Sequence, residues 1–248
     1  MNKIALLISA SLFAVSASAQ TQGCVANVQK NGLTVGTSPD YPPFESLDNN
    51  NQIVGLDVDM VNAIGKKMGV KVNIVGQSFD GLIPALISKK IDLIAAGMTV
   101  TPERKKAVNF TLPYDNSENV IMARKENLSY ATAAKLSGKS VGAQIGSTQE
   151  ELARGIKGAS VKSFNLYTDA AVALQTRQID SLVIDRVVGE QFAKTYPDLR
   201  ITGMLSKNEK ALAVRKDCGD LVNRINAAVI QLRKSGELQA ISKKWLSK

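Results

Sequence analysis

Ala85-Leu86-Ile87-Ser88-Lys89-Lys90-Ile91-Asp92-Leu93-Ile94-Ala95-Ala96-Gly97 returns in outline as Ala173-Leu174-Gln175-Thr176-Arg177-Gln178-Ile179-Asp180-Ser181-Leu182-Val183-Ile184-Asp185. In each stretch a helical segment runs into basic residues, an Ile-Asp pair follows, and an apolar run of strand length comes next. Val35-Gly36-Thr37 and Val141-Gly142-Ala143 open the two halves alike. The period is too long for a solenoid and predicts two similar units. Chance likeness between helix–strand segments is the competing reading, and at this point both stand.

The pattern around the repeat supports two units. Residues 33–38 alternate as a strand, and the prolines at 39, 42 and 43 break it into a rigid loop. Three asparagines at 49–51 make a turn. Residues 57–68 carry apolar side chains at helical spacing and end at Gly69. Residues 71–75 read as a strand, 81–88 as a helix and 91–96 as a buried strand. The second half repeats the order, with strands at 140–144, 161–164 and 181–184 and helices at 148–154, 168–176 and 186–195. Residues 120–124 and 210–214 read as extended connections, and 219–234 and 237–245 as terminal helices. Alternation of this kind argues for an α/β layer architecture with a largely parallel sheet.

The first repeat ends in Gly97-Met98-Thr99-Val100-Thr101-Pro102-Glu103-Arg104. Thr101 and Pro102 suit the N-cap and first position of a helix. An arginine in the first turn adds positive charge to an end that is already partly positive, an arrangement that suits a carboxylate. The plainer reading is a helix start with Arg104 paired to a surface acid. The repeat sets Asp185 opposite Gly97, both at the carboxyl end of a strand, where open α/β sheets place ligands. If the two units face each other, Arg104 offers a site for a carboxylate and Asp185 one for an ammonium, the charge layout of an α-amino acid. As a plain alternative, Asp185 is an exposed cap for the helix that follows it.

Met1-Asn2-Lys3, an apolar run from Ile4 to Val15 and Ala17-Ser18-Ala19 together read as a secretory leader, residues 1–19, cut after Ala19. No later stretch has the apolar length of a membrane span. Removing the leader takes away Lys3 and no acid, so the net charge falls from +9 to +8. The lysines are scattered and no basic run is interleaved with aromatics, which argues against nucleic acid as a partner. Cys24 and Cys218 are the two cysteines, and in an exported chain they predict a disulfide joining the two ends. Lipid attachment at Cys24 is the alternative, which the preceding Thr21-Gln22-Gly23 fits poorly. The chain has no histidine, the commonest general base, and no phosphate loop or metal cluster. No cofactor or metal is expected.

Asp40-Tyr41-Pro42-Pro43-Phe44-Glu45, Val54-Gly55-Leu56-Asp57-Val58-Asp59, Phe79-Asp80-Gly81-Leu82-Ile83-Pro84-Ala85-Leu86, Gly97 to Arg104, Gly146-Ser147-Thr148 and the strand end at Asp185 occur in that order. Together they resemble the motifs of the polar amino acid-binding proteins, the extracytoplasmic receptors of ABC importers, over essentially the whole mature chain. The resemblance implies the periplasmic-binding-protein fold, two α/β lobes with a ligand cleft between them and two hinge strands. Residues 20–117 plus 212–248 form the first lobe and 118–211 the second. It implies a monomeric periplasmic protein that docks on a membrane permease.

The same resemblance assigns Arg104 to the ligand's carboxylate, with donors at Thr99 and Thr148. It gives Asp185 to the α-ammonium, with a carbonyl from Gly97. Tyr41 and Phe79 match the aromatics that sandwich the ligand side chain, for which ordinary core packing is the alternative. Met98 is carried along with its neighbours as a ligand contact. Ser38, Glu45 and Gln144 stand at the side-chain end. Flat aromatic faces with an acid nearby suit a guanidinium. An acid stands at Ser38 in lysine- and ornithine-binding relatives, so the order of expectation is arginine, then lysine or ornithine, then glutamine. A dehydratase-like enzyme on the same fold, with Glu45 as its acid, is the rival of a different class.

Overall fold

The computed structural model describes residues 23–246; the leader at 1–19 and its cut after Ala19 lie outside them. The chain opens with α1 (Cys24–Asn31), β1 (Leu33–Thr37), the short strands β2 (Asp40–Tyr41), β3 (Glu45–Leu47) and β4 (Ile53–Val54), then α2 (Leu56–Met68), β5 (Val72–Gly76), α3 (Leu82–Ile87), β6 (Leu93–Ile94), α4 (Pro102–Ala107) and β7 (Val108–Phe110). It crosses into β8 (Asp115–Arg124), β9 (Ser140–Gln144), α5 (Thr148–Arg154), β10 (Ser160–Phe164), α6 (Tyr167–Gln175), β11 (Ser181–Asp185), α7 (Arg186–Thr195) and β12 (Leu199–Lys210). It returns through β13 (Ala213–Arg215) to α8 (Gly219–Lys234) and α9 (Glu237–Leu246).

Two five-stranded sheets result, ordered β5-β1-β6-β13-β7 and β10-β9-β11-β8-β12. In the first, β1 runs parallel to β5 and β6; in the second, β9 runs parallel to β10 and β11. Strands that cross from the other half complete each sheet in antiparallel pairing. Apolar side chains cover both faces of each sheet. Val35, Leu93, Met60, Ile64, Ile225 and Val229 share one core, and Leu82, Leu86, Ile94 and Val108 share the core on the other face. This is the two-lobed α/β architecture that the resemblance implies.

The repeat has a physical basis in both lobes. Lys89 and Arg177 take left-handed backbone angles, φ +62° and +63°, where α3 and α6 stop. The next N–H groups, of Lys90 and Gln178, return to the carbonyls of Ala85 and Ala173, closing each helix in the same way. Asp92 then accepts from the Thr34 N–H at 3.0 Å, and Asp180 from the Ser140 N–H at 2.8 Å, so each acid brackets the first parallel strand of its own lobe. Ile91 and Ile179 fill the space over Gly36 and Gly142, where an added Cβ would come within 2.4 and 2.5 Å of the isoleucine.

The structure departs from the sequence reading in the crossing segments. The connection read at 120–124 is a ten-residue strand, and that read at 210–214 is divided between β12 and β13. Asn116, Ser117, Glu118, Asn119, Ser206, Lys207, Asn208 and Glu209 pair along β8 and β12. Polar runs like these give no apolar period, and their order comes from the ladder they make with each other. The strand read at 91–96 is hydrogen-bonded as β6 only over two residues. The small sheet β2-β3-β4 has strands too short for any periodicity.

Cys24 and Cys218 form a disulfide with Cα atoms 5.5 Å apart, tying α1 to the start of α8; lipid attachment at Cys24 is thereby set aside. Trp245 and Lys244 of α9 both donate to Asp59 of α2 at 2.7 Å, so the C-terminal helices close on the first lobe. Denatured, unreduced protein should show no free thiol. A double C24S/C218S variant should unfold at lower urea concentration, with a loss of at most about 5 kcal/mol for so long a loop, read from Trp245 fluorescence.

Candidate functional site

The carboxyl ends of the parallel strands in the two lobes face each other. Between them lies a narrow cavity lined by Ser38, Asp40, Tyr41, Glu45, Phe79, Ala96, Gly97, Thr99, Arg104, Gln144, Ser147, Thr148, Gln149 and Tyr167. Nine of the residues singled out from the sequence are therefore brought together: Ser38, Tyr41, Glu45, Phe79, Gly97, Thr99, Arg104, Gln144 and Thr148. A larger groove beside the crossing strands is open to solvent, and neither Glu45 nor Asp40 lines it.

Arg104 is set by its own helix start. Thr101 caps α4 by accepting from the Arg104 N–H at 3.1 Å, as its position before Pro102 predicts. The guanidinium donates to the Thr99 carbonyl at 2.8 Å and, across the lobes, to the Gly146 carbonyl at 3.0 Å. Phe79 lies under it, 5.4 Å from ring centroid to guanidinium carbon. The plain surface ion pair is therefore not what holds it. Because α4 is only six residues long, the positive charge facing the cavity is the guanidinium itself. Burial lowers its pKa from the usual arginine value. Thr148 donates to the Thr99 hydroxyl at 3.4 Å, which places two hydroxyls beside Arg104, one from each lobe.

Glu45, which also lines the cavity, is fully buried, and among the described residues neither of its carboxylate oxygens has a hydrogen-bond partner. Burial, then Asp57, then Asp40 push its pKa well above the usual carboxylate range. Asp57 accepts from the Gly97 N–H at 2.9 Å and from the Tyr114 hydroxyl at 2.8 Å. Its burial outweighs those bonds and raises its pKa to about 6. Gly97 is left-handed at φ +52°, and a side chain there would meet the Tyr41 ring at 2.9 Å, so this turn needs glycine.

Asp40 was not singled out from the sequence. It accepts from the backbone N–H of Tyr167 at 2.6 Å, from Ser38 at 3.0 Å and from the Gln144 side chain at 3.2 Å. An acid of the first lobe thus joins the start of α6 in the second. Tyr167 stacks at a tilt against Tyr41 with centroids 5.2 Å apart, a third aromatic in the cavity wall. Asp40 stands two residues after Ser38, across the turn at Pro39 in which the Asp40 N–H returns to the Ser38 carbonyl at 2.8 Å, and that closeness is the one local signal for it. Nothing local marks Tyr167.

Two singled-out residues lie elsewhere. Met98 packs inward with Leu82, Leu86 and Ile94, because successive side chains of an extended segment point opposite ways. Its carbonyl accepts from the Ala211 N–H at 3.1 Å. Asp185 ends β11 as expected but is fully buried and does not line the cavity. It is not an exposed cap. Ser117 donates to one oxygen, and Asn208 and Lys210 donate to the other at 3.3 and 2.6 Å.

A polar cavity closed between two α/β lobes, with two strands crossing behind it, defines a two-lobed binding protein of the periplasmic type. The chain belongs to the bacterial extracellular solute-binding proteins, family 3, whose family model matches residues 33–248. It is 35% identical over 227 residues to the arginine-binding extracellular protein ArtP of Bacillus subtilis, covering 88% of this chain and 87% of that protein. It is 41% identical over 167 residues to a probable histidine-binding protein of Campylobacter jejuni, covering 67% and 65%. Among solved structures it is similar to a mutant of the ArgBP protein of T. maritima, with TM-score 0.88, 40% identity and coverage of 91% and 100%. It is also similar to an ancestral amino acid-binding protein described as a precursor of cyclohexadienyl dehydratase, with TM-score 0.85, 32% identity and coverage of 90% and 99%. The curated relatives named here are binding proteins. Among the described residues no helix is long and apolar enough to cross a membrane.

A carboxyl whose folded pKa lies above its unfolded value favours the folded state at low pH and loses that contribution as pH rises through the folded value. For Asp57 the window runs from about 4 to about 6. Asp57→Asn should therefore be more stable than wild type at pH 7, by about 1–3 kcal/mol, and the advantage should vanish near pH 4. Denaturant titrations across that range measure it.

Proposed function

We propose that this protein is the periplasmic receptor of an ABC importer, exported by its leader, and that it captures an L-amino acid with a cationic side chain, arginine above all. As a monomer it presents the ligand to the membrane permease after the lobes close. The observation that carries the ligand class is the polarity of the cavity. Arg104 lines it with the Thr99 and Thr148 hydroxyls, and the Glu45 carboxyl, which has no hydrogen-bond partner among the described residues, lines it too. A carboxylate on Arg104 and a guanidinium toward Glu45 satisfy both groups, with Tyr41 and Phe79 in the cavity wall for the flat group to meet.

The names of the relatives support arginine most often. The argument from Ser38 carries less weight, since Asp40 supplies an acid beside it. Lysine or ornithine stays second in order, and glutamine third. The dehydratase-like alternative has the Glu45 carboxyl to act with, since the other cavity acid, Asp40, is held by three hydrogen bonds.

Titration calorimetry with the common amino acids tests the reading. Arginine should bind most tightly, and binding should release protons at neutral pH, because a cation beside Glu45 lowers the pKa that burial has raised. Repeating the titration in buffers of different ionisation enthalpy measures that release. Glutamine, neutral at that end, should release far fewer. Arginine bound no better than glutamine and without proton release would remove the cationic reading. Arg104→Ala should weaken whichever amino acid binds by about a hundredfold or more.

A further inference from the structure

Lys210 occupies the place that the sequence reading kept for the ligand's ammonium. It is the last residue of β12, where the chain passes from the second lobe to the first, and its side chain is fully buried. Its ammonium donates to Asp185 at 2.6 Å and to the Gly97 carbonyl at 3.3 Å. These are the two groups assigned to an α-ammonium. The rings of Tyr41 and Phe44 lie 5.5 and 5.1 Å from it, which adds cation–π attraction on a desolvated charge.

The surroundings keep it there. Asp115 lies directly across the ladder from Lys210, and Lys210 also acts on the buried carboxyls of Asp57 and Glu45. Asp185 has both oxygens engaged by side chains of this chain. Moving the ammonium away would leave a fully buried carboxylate uncompensated. An entering ammonium would also have to compete with one that is covalently tethered beside the site.

We propose that Lys210 is a built-in ammonium, so that the head of the ligand is recognised through its carboxylate at Arg104 and its own α-ammonium adds little. The ligands accepted then include ω-guanidino and ω-amino carboxylic acids that lack an α-amino group. This rests on the cavity polarity set out under Proposed function, and on Lys210 for the part that is new.

Wild type and Lys210→Met are each titrated with L-arginine and with its desamino analogue, 5-guanidinopentanoic acid. Wild type should bind the two within about threefold, while Lys210→Met, with Asp185 and the Gly97 carbonyl freed, should prefer arginine by about tenfold or more. A wild type that already prefers arginine tenfold overturns the proposal and leaves the amino acid reading intact. The wild-type comparison decides even if the variant does not fold. The pairs lysine with 6-aminohexanoic acid, and glutamine with 4-carbamoylbutanoic acid, are run alongside. Failure of all three amino acids and their analogues to bind wild type overturns the cavity reading and the Lys210 proposal with it. Near-equal binding within any pair that does bind supports Lys210 as the built-in ammonium.

Discussion

Charge balance in a space closed to water governs the meeting of the lobes. Asp40, Glu45, Asp57 and Asp185 are buried there, with Lys210 fully buried and Arg104 spanning from one lobe to the other. A buried charge is tolerated only when it is paired or hydrogen-bonded. Asp185 is paired with Lys210. Asp40 is held by a backbone N–H and two side chains, and Asp57 by a backbone N–H and a tyrosine hydroxyl. Among the described residues Glu45 has no hydrogen-bond partner, and it borders the cavity. Each of the other three acids has at least one oxygen hydrogen-bonded, and the Glu45 carboxyl lines the cavity together with the Arg104 guanidinium.

The two lobes are built by the same local devices, a left-handed helix stop, an aspartate bracket and an isoleucine over a glycine. They differ where their third parallel strands end. One ends near Gly97, whose missing side chain lets Tyr41 approach; the other ends in Asp185. The crossing strands β8 and β12 run behind the junction and supply Ser117, Asn208 and Lys210 to Asp185. The hinge therefore holds the lobes together and also completes the electrostatics of the site.

Much of the fold was legible in the sequence, because apolar periodicity, caps and glycines act over a few residues. Helices α7 and α8, the cap at Thr101 and the strand β9 are recovered at their ends. The crossing strands were legible only in part, since a polar ladder has no periodic signal of its own. Most of the cavity residues were legible through their motifs. Asp40 and Tyr167 were not, since their contact joins residues 127 apart in the chain. Met98 was misread because a motif carries its neighbours with it, although adjacent side chains on an extended chain point to opposite faces.

By itself the sequence pointed to the two-unit architecture and the pairing of Cys24 with Cys218, and marked Arg104 as a candidate for holding an anion, because each depends on local spacing or on there being one choice of partner. Only the tertiary structure decided which charges neutralise one another. Whether Asp185 faces a ligand or Lys210 depends on where the crossing strand delivers a side chain 25 residues further along. A buried charge responds to what lies within a few ångströms of it, whatever the distance along the chain.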